Sequence, residues 1–142
     1  TCSHREVVEM LRQNSRPYLF SNSLAPSIAG ASLATLDLLK SSGDLLTKLR
    51  ENTEYFRSEM TRRGFEIPES DHPIVPVMVG DAVKAAKMAD AMLAKGIYVR
   101  AFSYPVVPKG KARIRTQMSA GLTREQLDKA IKAFEEARAE IG

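Results

Sequence analysis

"YPVVPKGKARIRTQMSA", residues Tyr104 to Ala120, places two prolines and a glycine directly before an alternating run. Ala112, Ile114, Thr116 and Met118 fall on one side of that run, and Arg113, Arg115 and Gln117 on the other. Such a period of two is that of a β-strand. The first set suits packing under the last helix. The second presents hydrogen-bond donors, and an arginine fork matches a carboxylate through two parallel bonds. Two readings stand open here: a solvated sheet face, or an anion site. Pro105 and Pro108 fix φ and Gly110 permits a tight turn, so the chain enters the strand rigidly.

On either side of this strand the pattern is α+β. "PIVPVMV" (Pro73 to Val79) is a buried strand in which Pro76 points to an edge or a bulge. Asp81 caps a helix that reaches Lys95, with Gly96 as its stop. "IYVRAF" (Ile97 to Phe102) is a second strand, and Ala112 to Met118 the third. Thr123 opens the last helix as a capping box with Gln126, and Leu122 and Leu127 are placed as its hydrophobic staple. The order strand, helix, strand, strand, helix predicts a small sheet covered by helices on one face. The expected α+β domain spans 64–142.

Residues 1–63 read as helical. His4 to Gln13 carries Val7, Val8 and Leu11 on one side. "NSRPYLFSNSLAP" then interrupts the period, and Pro26 starts a helix through Ile28, Leu33, Leu36 and Leu39. After "SSGD", Leu45, Leu49, Phe56 and Met60 mark another helix, ended by Gly64. The chain opens on Thr1 as if a helix were already under way, which reads as a piece of something longer.

The chain has 142 residues, of which 44% are hydrophobic and 27% charged, as in an ordinary globular domain. No apolar run is long enough for a membrane span. One cysteine, Cys2, rules out an internal disulfide framework, and with only His4 and His72 beside it no structural zinc site is expected. His72 reads as a surface-loop histidine. The net charge is +4, yet residues 91–124 contain no Asp or Glu while holding Lys95, Arg100, Lys109, Lys111, Arg113, Arg115 and Arg124. That run attracts anions. It lacks any nucleic-acid-binding motif, so neither nucleic acid nor membrane is an expected partner. Ser21, Asn22 and Ser23, beside a helix start, suit either a loop-closing cap or a phosphate. No nucleophile motif is visible.

"RPYLFSNSLAP", "HPIVPVMVGD" and "FSYPVVPKGKARIRTQMSA" resemble the α-oxoamine synthases of the fold-type I pyridoxal-phosphate (PLP) superfamily. The likeness extends from about Arg5 to Ala139. The Pro-x-x-Pro-x-Gly-x-x-Arg-x-Arg pattern, Pro105 to Arg115, is shared across that family, and the remaining wording is that of its 2-amino-3-ketobutyrate-forming branch.

The resemblance implies the C-terminal small domain of a homodimeric acyltransferase. Residues 1–63 would be a helical linker to a large PLP domain and the dimer interface. The implied reaction interconverts glycine plus acetyl-CoA and 2-amino-3-ketobutyrate plus CoA, in bacterial cytoplasm or the mitochondrial matrix. It assigns Arg115 to the amino acid's carboxylate, and Ser21, with Asn22 beside it, to the PLP phosphate of the other subunit. Arg113 receives no ligand role. The Schiff-base lysine is implied to lie before Thr1, so no catalytic residue is assigned to this chain and the chain alone is expected to be inactive. Leu122 stands where the family usually has His. The competing expectation is a stand-alone, non-catalytic α+β module that binds an anion or a protein.

Overall fold

Where helix and strand periods meet, the chain uses glycine. In the computed structural model, which describes residues 2–20 and 24–142, Gly64 and Gly96 both adopt positive φ, +76° and +78°. Each closes a helix in the same way. Phe65 N–H donates to the Met60 carbonyl and Gly64 N–H to that of Thr61. Ile97 N–H donates to Met92 and Gly96 N–H to Leu93. These are Schellman motifs, in which only a residue without Cβ adopts the left-handed position at little cost.

Two compact units divide at Gly43/Asp44. The first contains α1 (Arg5–Asn14), α2 (Arg16–Phe20) and α3 (Pro26–Ser41). The expected interruption of the helical period falls at Ser15, between α1 and α2. Pro17 sits in the first turn of α2, where its missing N–H has no intrahelical partner to lose. None of the residues of these three helices is buried. Met10, Phe20, Leu33, Leu36 and Leu39 are all well exposed.

The second unit holds most of α4 (Gly43–Arg62), then β1 (Ile74–Gly80), α5 (Ala82–Ala94), β2 (Arg100–Phe102), β3 (Ala112–Gln117) and α6 (Arg124–Ile141). The division falls before residues 63/64 because the second half of α4 belongs to this core: Phe56 and Met60 are fully buried in it. Phe134 sits at its centre, edge-on to Phe56 at 6.4 Å and to Phe65 at 5.9 Å. The sheet is antiparallel, ordered β1-β3-β2, with β3 in the middle. Ala112, Ile114 and Thr116 face inward with Val75 and Val77, while Arg115 and Gln117 face out, as the alternation predicts. The Thr116 hydroxyl, though buried, donates to the Val75 carbonyl at 2.7 Å. Among the helices, α5 lies in backbone contact with all three strands and with α6.

β1 is an edge strand, as Pro76 indicates, while β2 starts later than expected. Met78 N–H donates to Glu66, on the side away from β3. Pro76, two residues earlier, turns its donorless nitrogen to that same side. The ladder therefore loses nothing, and the bulge falls later, between Met78 and Gly80. β2 begins at Arg100 rather than Ile97, because the Ile97 N–H is already committed to the Schellman turn. Ile97 and Val99 still pack on the core.

The helix starts follow the sequence. Lys84 N–H donates to the Asp81 carboxylate at 2.8 Å. Gln126 N–H donates to Thr123 Oγ1, and Thr123 N–H to Gln126 Oε1.

Candidate anion-binding site

Arg115 lies on the central strand, directly opposite Pro76 on β1 and Arg100 on β2. Its guanidinium is exposed and stands 5.9 Å from the centre of the Phe102 ring, which shares its face of the sheet. Among the described residues, Arg115 makes no hydrogen bond or ion pair with protein. An arginine fork on a central strand, with one flat aromatic beside it, is positioned yet unsatisfied.

Arg113 differs. It is half-buried, and its Nε donates to the Lys111 carbonyl at 3.0 Å. That bond ties the strand to the loop before it. In the loop, Lys111 N–H donates to Pro108, and Gly110, at φ +74°, occupies the third position of the turn, the residue for which type II geometry needs positive φ. Val106 and Val107 N–H groups both donate to the Ser103 carbonyl, and the Lys109 ammonium stands over the Tyr104 ring. The entry to β3 is thus held by its own hydrogen bonds.

An open cleft of about 560 Å³ adjoins Arg115 where β2 begins. Arg100, Arg115, Gln117, Gln126 and Lys129 supply polar groups to it, over an apolar floor that includes Met118 and Leu122. Leu122 thus fills a core-facing position with its side chain rather than presenting the imidazole the family pattern suggests. Behind the cleft, Asn52 ties α4 to the turn after β3.

The other sequence candidates fall elsewhere. Ser21 and Asn22 lie outside the described residues. His72 organises its own loop: its Nδ1 accepts from Ile74 N–H at 3.0 Å, and its carbonyl accepts from Arg57. Cys2 is exposed. Among the described residues, no cluster of three or more His, Cys, Asp or Glu is arranged to hold a metal ion, and no helix is long and apolar enough to cross a membrane. Arg100 and Lys129 were not distinguishable as site residues in the sequence. Arg100 is one of many basic residues in an acid-free run, and only strand register singles it out.

Aminotransferase class I and II sequences match residues 1–134. The chain belongs to that family. It is 51% identical to the 2-amino-3-ketobutyrate coenzyme A ligase of Escherichia coli K12, over 100% of this chain and 36% of that protein. Against the mitochondrial 2-amino-3-ketobutyrate coenzyme A ligase of Mus musculus it is 52% identical over 96% of this chain and 33% of that one. The chain therefore spans about a third of the length of these relatives. A solved structure of SPT with PLP superposes with a TM-score of 0.90 at 29% identity, covering 99% of this chain and 36% of that one. Within this aminotransferase family the chain carries a small antiparallel sheet with helices, the architecture expected for part of a fold-type I transferase.

Proposed function

We infer that this chain is the carboxylate-binding portion of a PLP-dependent acyltransferase that interconverts glycine plus acetyl-CoA and 2-amino-3-ketobutyrate plus CoA. The observation that carries the reading is Arg115: an exposed fork on the central strand, without a hydrogen-bond or ion-pair partner among the described residues. A solvated-face arginine needs no such support, whereas a carboxylate ligand benefits from a rigid strand and a rigid entry loop. The names of the relatives, at about half identity, support the substrate class.

The donor chemistry of this chain fits PLP and its substrate. Arg115 suits the amino acid's carboxylate, and the hydroxyl of Ser21 with the amide of Asn22 suits phosphate oxygens. PLP, when bound, supplies an electron sink for carbanion chemistry at the amino acid. Arg115 would orient the substrate by a two-point bond, which fixes the direction in which its Cα is presented. Residues 1–63 would link to a larger cofactor domain and a homodimer partner, in keeping with the exposed apolar side chains of α1 to α3. The relatives include bacterial and mitochondrial proteins, and a soluble compartment of either kind suits this reading.

The test is glycine affinity in the full-length protein. Arg115→Ala should weaken glycine binding by about 2 kcal/mol, with Arg115→Lys recovering only part of it. Glycine affinity unchanged in Arg115→Ala removes the assignment.

A further inference from the structure

Arg100 and Arg115 are direct partners across the β2–β3 ladder. Residues so paired project from the same face of a sheet, with Cβ atoms about 5 Å apart. Phe102, two residues after Arg100, confirms the shared face, because its ring lies beside the Arg115 guanidinium. Both arginines are exposed and both line the same cleft. Among the described residues neither forms an ion pair or a hydrogen bond with protein. Residues 91–124 contain no acidic side chain to separate them.

Like charges directly opposite on a sheet are destabilising. The usual remedies, an interposed carboxylate or a neutral residue at one position, are both missing from the described residues of this pair. Arg113, by comparison, is opposite Phe102 and Met78 and hydrogen-bonds its own loop. The sheet therefore places two arginines side by side on adjacent strands at the one place where both line an open cleft. Lys129, on the α6 side of the same cleft, adds a third cation.

We propose that Arg100 is a second anion ligand beside Arg115, and that the pair receives two anionic groups together: the amino acid's carboxylate at Arg115 and a further carboxylate or phosphate at Arg100. The inference rests on the carboxylate role of Arg115 and goes beyond it, since glycine supplies only one anionic group. The second group comes either from the same molecule, as in a dicarboxylate, or from a separate phosphate-bearing ligand. In both cases Arg100 sets specificity and leaves the bond-making chemistry to other residues.

The experiment uses the full-length protein, with succinate and glutarate measured against propionate and butyrate as competitors of glycine. Orthophosphate is titrated separately, with and without propionate. The wild type should hold the dicarboxylates about five- to tenfold more tightly than the monocarboxylates, and Arg100→Ala should erase that preference, lowering dicarboxylate affinity more than propionate affinity. If the second anion comes from a separate ligand, orthophosphate should instead bind alongside propionate in the wild type and not in Arg100→Ala. Arg100→Ala should also raise the thermal midpoint of the unliganded protein, because it relieves the opposed charges. A ligand preference identical in wild type and Arg100→Ala, for dicarboxylates and for orthophosphate alike, overturns the proposal. Failure of the underlying carboxylate reading appears differently, as propionate affinity insensitive to Arg115→Ala.

Discussion

The side-chain amide of Asn52 donates to the carbonyl of Ser119 at 3.0 Å, and it spends its second N–H on Leu122, also at 3.0 Å. Asn52 is almost fully buried on α4, far in sequence from the turn it satisfies. It fastens the helix to the chain leaving β3, in the turn that follows Met118. Replacing Asn52 by Ala should cost about 1–2 kcal/mol, since two carbonyls lose their donors. Asn52→Asp, which keeps the shape but offers no N–H, should be at least as damaging. Urea unfolding measures both, and an Asp variant as stable as wild type overturns this view of the contact.

Thr123 and Gln126 satisfy each other's backbone N–H groups at the start of α6. Thr123→Ala should destabilise by about 1 kcal/mol, and Thr123→Ser should restore most of that. The thermal midpoints of the three proteins decide it. If Ser fails to rescue, packing of the threonine methyl rather than the cap is the cause.

Glu59 is gripped by Arg62, whose Nη2 lies 2.7 Å from its carboxylate, and by Arg63. Hydrogen bonds from Arg62 first, and from Arg63 next, lower its pKa from 4.5 to about 2. A carboxyl lowered on folding contributes stability that is present above about pH 4.5 and is lost as the pH falls toward 2. The unfolding midpoints of wild type and Glu59→Gln should therefore be separated at pH 7 and converge across that acid window. A separation that stays constant down to pH 2 contradicts the ionic origin of the contact. Added salt should also narrow the gap at pH 7, as these side chains lie near the surface.

Arg57 reaches from α4 to the carbonyls of Pro68, His72 and Ile74, at 2.8, 3.0 and 3.3 Å. Its Nε is buried without a partner, so the fork does the holding. Arg57→Met keeps the stem and removes all three bonds. Amide exchange at Ile74, whose N–H donates to His72 Nδ1, should quicken by about tenfold, while exchange in α6 stays as it was. Uniform acceleration throughout the second unit points to global destabilisation instead.

What could be read from the sequence was local. The stops at Gly64 and Gly96, the cap at Asp81 and the box at Thr123 each depend on residues within one turn of one another, and the structure has them all. The inward and outward faces of β3 follow from alternation alone. Contacts between distant parts of the chain were hidden. Asn52 is an unremarked polar residue on a helix until the turn after β3 folds against it. The opposition of Arg100 and Arg115 depends on how the Ser103 to Lys111 loop sets register, and a shift of one residue would place Arg100 on the other face. β2 starts later than the apolar run predicts for a local reason, because the Schellman turn at Gly96 claims the Ile97 N–H ahead of the ladder. The phosphate-binding expectation at Ser21 and Asn22 lies outside the described residues.

The glutamate-to-methionine bridge between Glu66 and Met78 also bears on how the molecule behaves in company. A sheet margin is a template on which another polypeptide can lay down a strand. Along the β1 margin, the Met78 amide is already taken by Glu66, and Pro76 has no amide hydrogen to give. An incoming strand finds no uninterrupted row of donors there. Fibre-like growth of the sheet by stacking copies edge to edge is thereby blocked on that side, with the protection supplied by a proline and the Glu66 carbonyl.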